Sequence, residues 1–112
     1  MSPADRTSVV GSDRLLSLIE VRDCILTAIR DSFRMHGYRE VTTPVVVPCP
    51  GLDRHVEAIE TSSGLYLATS PELHMKRLVC TGASRIYQII PAFRAEEHGS
   101  QHKSEFLMLE WY

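Results

Sequence analysis

The chain has 112 residues, 44% of them hydrophobic, with twelve basic against fourteen acidic residues and a net charge of -2. That length suits one domain that buries somewhat over ~60% of its unfolded surface, and the charge balance excludes an overall positive field drawing it to a nucleic-acid backbone or an anionic membrane. Cys24, Cys49 and Cys80 are odd in number, far apart and without a C-x-x-C pair, which argues against a disulfide framework and a zinc site and suits a reducing cytoplasm. The N-terminus lacks the apolar core of a signal peptide and no apolar run approaches the ~18 residues of a membrane span, so a soluble, unexported protein is predicted.

A polar tail is expected over residues 1–13. Leu15, Leu18, Val21, Ile25, Ile29 and Phe33 then recur at spacings of three and four, with Glu20, Asp23, Arg30, Asp31 and Arg34 mostly opposite, which predicts one long amphipathic helix to about residue 36. Ser12 or Asp13 suits its cap and Gly37 its left-handed stop. Residues 38–47 are rich in β-branched side chains interrupted by Pro44, an edge or kinked strand, and Pro48-Cys49-Pro50-Gly51 reads as a loop. Val56–Thr61 and Leu65–Thr69 flank Ser62-Ser63-Gly64 in the manner of a hairpin. Ser70-Pro71-Glu72 is a helix start, with serine to cap, proline at the first turn and glutamate at the positive end of the dipole. That helix should run to about Cys80 and stop at Gly82, with Lys76 and Arg77 near its negative pole. Ile86–Arg94 and Glu105–Tyr112 are the arms of a last hairpin around a polar loop. The fold class expected is α+β, an antiparallel sheet flanked by helices.

Side chains alternate between the faces of a strand, so Gln88, Ile90, Ala92 and Arg94 share one side of the first arm, and Phe106, Met108, Glu110 and Tyr112 one side of the second. If these sides coincide, Gln88, Arg94, Phe106, Glu110 and Tyr112 line one surface, while Leu107, Leu109 and Trp111 face a core against the helices. A face holding a guanidinium, an amide and a carboxylate is costly to bury unpaired, which suits a ligand surface. Arg94 could hold a phosphate through its donor fork, Phe106 could stack on a nucleobase, and Glu110 with Tyr112 could receive an ammonium. A strand arginine fits a weak surface ion pair equally well. His98 and His102, four apart beside Glu96 and Glu97, admit a metal reading, but no third spaced ligand accompanies them.

Gly37-Tyr38-Arg39-Glu40-Val41-Thr42-Thr43-Pro44 after a long helix resembles motif 1 of class II aminoacyl-tRNA synthetases. Phe93-Arg94-Ala95-Glu96 through Glu105-Phe106 resembles their motif 2. Thr69-Ser70-Pro71-Glu72-Leu73-His74-Met75-Lys76-Arg77-Leu78 and Met108-Leu109-Glu110-Trp111-Tyr112 are similar to the lysine branch, most of all to its elongation factor P beta-lysine ligases, paralogues of lysyl-tRNA synthetase that modify a translation factor instead of tRNA. The resemblance spans the chain from about residue 14. It implies that Arg94 contacts the α-phosphate of ATP and stabilises charge as a carboxylate attacks it. It also implies that Glu96 fixes the adenine amino group, that His102 and Lys103 belong to the ATP-binding loop, and that Phe106 stacks on adenine. Ser70, Pro71 and Glu72 would hold the amino-acid end of the substrate, and Glu110 and Tyr112, with Gln88 nearby, its side-chain ammonium.

The family usually has His-Asn-Pro-Glu-Phe where this chain has His102-Lys103-Ser104-Glu105-Phe106, so a loop contact to ATP is changed at Lys103. Pro91 in the first motif 2 strand is expected to remove a ladder hydrogen bond. Motif 3 has no counterpart up to Tyr112, and the resemblance therefore implies the N-terminal part of an active site whose Mg2+ ligands lie beyond residue 112. The function expected is ATP-dependent activation of lysine or beta-lysine as an adenylate and its transfer to a lysine of elongation factor P. Two alternatives stand beside it. One is a lysyl-tRNA synthetase fragment charging tRNA, disfavoured by the short stretch before the motif 1 helix. The other is a non-catalytic ATP-binding or dimerisation module, pairing as a homodimer through the helix at 14–36 and the Pro44 strand.

Overall fold

A computed structural model of the chain describes residues 3–51, 56–95 and 103–112. The chain divides into two units, Met1–Gly37 and Tyr38–Tyr112.

The first unit is one helix, α1 (Pro3–Met35). It starts eleven residues earlier than the sequence pattern suggests, at Pro3 and not residue 14, and Ser12 and Asp13, expected as caps, lie inside it. Proline is well suited to a first helical turn, where its missing N–H would be unpaired in any case. Gly37 ends the element with φ 80°, its N–H bonded to the Arg34 carbonyl at 3.0 Å. The apolar stripe is exposed, including Leu15, Leu18, Val21 and Ile25, each more than half accessible, whereas Ile29 and Phe33 are half-buried.

In the second unit Pro44 splits the expected 38–47 strand between two sheets. β1 (Arg39–Glu40) runs parallel to β4 (Ile86–Phe93), and β4 pairs antiparallel with β5 (Glu105–Trp111), giving the order β1-β4-β5. β2 (Val46–Val47) pairs antiparallel with β3 (Tyr66–Leu67). The expected turn at 62–64 forms: Gly64 adopts φ 80°, Thr61 and Leu65 are joined by a 2.7 Å backbone bond, and Glu60 bridges Tyr66. Ala68 donates to Val45 at 2.8 Å, extending the β2–β3 ladder, and its carbonyl accepts from Phe93 at 3.0 Å, a bond that links this sheet to the β4 strand. That second bond sets Thr69-Ser70 beside Phe93-Arg94, and α2 (Glu72–Cys80) follows at once.

β4 is the central strand, and its Ile-Tyr-Gln-Ile-Ile run is the near-continuous apolar pattern that such a position favours. Its pairing joins Gln88 to Glu110, Ile90 to Met108 and Ala92 to Phe106, so the side-chain sets expected to coincide do share one face. The direction of that face differs from expectation. Ile86, Gln88, Ile90 and Ala92 are all at most 6% exposed, while Leu107 and Trp111, expected in the core, are 48% and 54% exposed. On their side only Tyr87 is buried, its hydroxyl donating to Glu40 at 3.3 Å. The core therefore sits on the polar-studded face, with Met75 of α2, Val47 and Ala68.

Pro91 also departs from expectation. Ile86 and Tyr112 exchange both backbone bonds, and Arg94 donates to Ser104 at 2.9 Å, so the hydrogen-bonded positions of β4 toward β5 are the even-numbered ones. Proline at 91 falls between them and interrupts no bond to β5.

Candidate functional site

At the junction of the two sheets lies a cleft of about 510 Å³, lined by Pro50, Gly51, Val56, Thr69, Ser70, Glu72, Leu73, Lys76 and Arg94. Local chemistry explains how each wall is placed. Thr69, nearly buried, donates its hydroxyl to the Pro50 carbonyl at 2.9 Å and so ties the proline loop to the start of α2. A side chain at Gly51 would meet that same hydroxyl oxygen at 3.5 Å, and φ of 128° there suits only glycine. Ser70 accepts from the Glu72 N–H at 3.3 Å, satisfying one orphan amide although Pro71 is the residue flanking the helix. The amides of the first turn carry the positive end of the helix dipole.

Across the cleft Arg94 leaves the end of β4. Its guanidinium lies over the Phe106 ring, 5.2 Å from the centroid, and its Nε is buried without a hydrogen-bond partner. Buried guanidinium donors are seldom left so, because an unpaired group of this kind costs about 1–3 kcal/mol or more. Glu110, on the same face of the sheet, also has a buried carboxylate oxygen, Oε2, with no partner. Burial raises its pKa above the ordinary carboxylate value, and the neighbouring charge of Glu72 raises it further, against a lowering by Lys76. The Tyr112 hydroxyl is likewise raised by burial first and then by Glu110 and Glu72, which keeps it a neutral donor at pH 7. Lys76 pairs with Glu72 at 2.5 Å, and its pKa is raised by that hydrogen bond and charge, with smaller contributions from Tyr112 and Glu110. Four groups, Glu72, Lys76, Glu110 and Tyr112, thus share one electrostatic neighbourhood where α2 faces β5.

The sequence-derived site residues separate accordingly. Ser70, Glu72 and Arg94 meet in the cleft, Phe106 meets Arg94, and Glu110 and Tyr112 join through charge. Gln88 is different: it is 1% exposed, its carbonyl accepts from the Thr43 N–H at 3.1 Å, and its NH2 donates to the Thr43 hydroxyl at 2.8 Å. Pro71 is buried and outside the cleft lining, and Lys103 is exposed near the start of β5. Glu96 and His102, as well as His98 and Glu97 of the metal reading, lie outside the described residues. Among the described residues no group of three or more His, Cys, Asp or Glu side chains is placed to hold a metal ion. Lys76 was expected to serve the negative pole of α2; Arg77 occupies its last turn, and Lys76 instead lines the cleft. The Glu72 to Lys76 spacing of four, which puts side chains on one helical face, was the signal available for that pair. Thr69 and Thr43 carried no comparable local signal.

Two sheets bridged by a strand broken at a proline, a helix opening beside the central strand, and a hairpin with a guanidinium at its loop end and an acid and phenol at the other define the N-terminal region of a class II synthetase catalytic domain. The chain belongs to that family: the class II tRNA synthetases (D, K and N) match it over residues 4–112. It is similar to proteins named elongation factor P--(R)-beta-lysine ligase, at 43% identity over 100 residues in Vibrio campbellii, 41% over 106 residues in Vibrio cholerae and 44% over 100 residues in Enterobacter sp.. Those alignments cover 81%, 87% and 81% of this chain and 31%, 33% and 31% of the relatives. The chain spans about a third of the length of the curated relatives it matches. No helix among the described residues is long and apolar enough to cross a membrane.

Proposed function

We propose that this region binds ATP and a lysine-type amino acid for an AMP-forming ligase that acylates a lysine of elongation factor P. The observation carrying this reading is the pair of buried, unpartnered polar atoms on one sheet face, Arg94 Nε and Glu110 Oε2. They call for a ligand anionic at one end and cationic at the other, as an aminoacyl phosphate bearing a side-chain ammonium would be. Arg94 takes the α-phosphate and holds charge that develops when the amino-acid carboxylate attacks phosphorus and pyrophosphate leaves. Phe106 offers its ring to adenine, with Glu96, His102 and Lys103 completing the nucleotide contacts. Ser70 and Glu72 receive the amino group near the carboxylate, and Glu110 with Tyr112 the distal ammonium. Gln88, through Thr43, fixes the backbone from which Glu110 is presented. Beta-lysine is favoured over lysine, and elongation factor P over tRNA, by the names of the similar proteins.

The exposed apolar stripe of α1 favours one further role, self-association as a homodimer. Cytoplasmic residence accords with this chemistry.

ATP-pyrophosphate exchange and isothermal calorimetry with ATP, lysine and beta-lysine test the reading. Nucleotide binding by the 112-residue chain, weakened by Arg94→Ala, is the result expected. Absence of binding to ATP and to both amino acids would overturn it.

A further inference from the structure

We propose that the open edge of β5 is an interface for a second copy of this chain, strand against strand and antiparallel about Met108. β5 is an outer strand of its sheet, seven residues long, and β4 is its neighbour among the described residues. The even-numbered residues of β5 direct their N–H and C=O groups to β4, so the odd-numbered ones point theirs the other way. Among the described residues, those of Leu107 and Leu109 meet no hydrogen-bond partner. A row of such groups is a template for another strand. The remaining strands offer no such row. β1, β2 and β3 have two residues each, and the odd-numbered row of β4 carries Pro91. Between Glu105 and Trp111 β5 has no proline, glycine or lysine, and its register with β4 runs without a bulge. Its apolar side chains are turned out beside this edge, with Leu107 48% and Trp111 54% exposed.

A second copy fits this edge because the edge is its own complement. Met108 is the one centre that pairs all seven residues of the strand with their counterparts. In that register Leu107 meets Leu109 of the other copy, and each gives an N–H and receives one. Glu105 falls opposite Trp111 and Phe106 opposite Glu110, so no carboxylate faces a carboxylate. The leucines of both copies form one row on the outward face and withdraw apolar surface from water. The three-stranded sheets of the two copies become one continuous sheet. Pairing about a twofold axis uses the same edge in both copies, so the assembly closes as a dimer. This surface is separate from the apolar stripe of α1 and does not depend on the reading of the cleft.

Sedimentation and amide hydrogen exchange by NMR test the interface on the 112-residue chain and on its Leu109→Pro and Leu18→Lys variants. An edge this short suits a weak dimer, forming over roughly 10–100 μM. The Leu107 and Leu109 amides are expected to gain protection over that range, in the unaltered chain and in Leu18→Lys, which disables the α1 stripe. Proline at 109 removes an edge donor and no bond to β4, so Leu109→Pro should weaken the dimer more than about tenfold while the Glu110 amide, which faces β4, stays protected. A chain monomeric at about 500 μM, or growth beyond a dimer, overturns the inference. So does a dimer that Leu109→Pro leaves intact, or one that Leu18→Lys abolishes together with the protection of Leu107 and Leu109. Protection of both amides at every concentration would mean that a segment of the same chain covers the edge, and overturns it too. Should Leu109→Pro lose the Glu110 protection and unfold, the concentration dependence of the Leu107 amide in Leu18→Lys decides alone.

Discussion

The two faces of the β4–β5 hairpin are cut from the same strands, yet the more hydrophobic one is not the one turned inward. Gln88, Ile90, Ala92, Met108 and Glu110 face the packed side, and Leu107, Leu109 and Trp111 face away, with Leu107 and Trp111 about half exposed. The polar members of the inward face are of two kinds. Gln88 is fully engaged by Thr43, which removes the cost of burying its amide, whereas Arg94 and Glu110 each keep a buried atom unpartnered. Satisfied polar groups in an interior serve the fold; unsatisfied ones of opposite charge, set apart on one surface, mark where a ligand belongs. The contrast between the two faces is thus also a contrast between two uses of a buried polar side chain.

Breaking the inward face at its satisfied member should have the largest effect. Gln88→Leu leaves the Thr43 N–H and hydroxyl buried without partners, and a loss of about 3 kcal/mol is expected in urea unfolding. A loss under 1 kcal/mol would show that water replaces the amide. Next in size is Arg94→Ala, which should weaken ATP binding by more than about tenfold in calorimetry, the loss of a charged hydrogen bond, while changing stability little. Unchanged ATP affinity would detach Arg94 from the phosphate.

Glu110→Gln sharpens the comparison further. Affinity for a side-chain ammonium should drop about fivefold to tenfold with a smaller change for ATP, and equal losses would contradict the division between the ends of the hairpin. The same residue should impose opposite pH trends. Its raised pKa means that the folded chain takes up the proton more readily than the unfolded one. Its contribution to stability is therefore full below the unfolded carboxylate value and is lost as pH rises through the higher folded value. Ammonium binding runs the other way, since it needs the carboxylate, and should fade on acidification earlier than for an ordinary glutamate. Thermal melts and lysine titrations across pH 4 to 7, roughly the range spanning a raised carboxylate, should show both slopes reduced in Glu110→Gln. The smallest effect is expected on the outward face, where Leu107→Thr should shift stability by no more than about 0.5 kcal/mol. A larger loss would mean that this face is covered in solution.

Much of this arrangement was legible because backbone geometry alone decides it. Strand alternation places Gln88, Arg94, Phe106 and Glu110 by parity, and the turn chemistry at Ser62-Ser63-Gly64 and Ser70-Pro71-Glu72 depends on residues close together in the chain. The start of α1 was missed because polar residues at a helix end look like a tail when no apolar period runs through them. The division of 38–47 between two sheets was half visible: Pro44 announces a break, but the separate partners of each half, β4 and β3, lie far along the chain.

What the residues determined by themselves was local and periodic: the helices, the hairpin arms, the side-chain sets on each face, and the chemical types gathered on one of them. Only the folded chain decided which face is interior, that Gln88 is bound by Thr43 across 45 residues, and that Lys76 meets Glu72 within a cleft rather than serving the end of its helix. The reason is physical. Alternation and capping follow from bonds between near neighbours, whereas burial and charge pairing depend on which distant segment arrives, and in this chain it is α2 and the Thr43 segment.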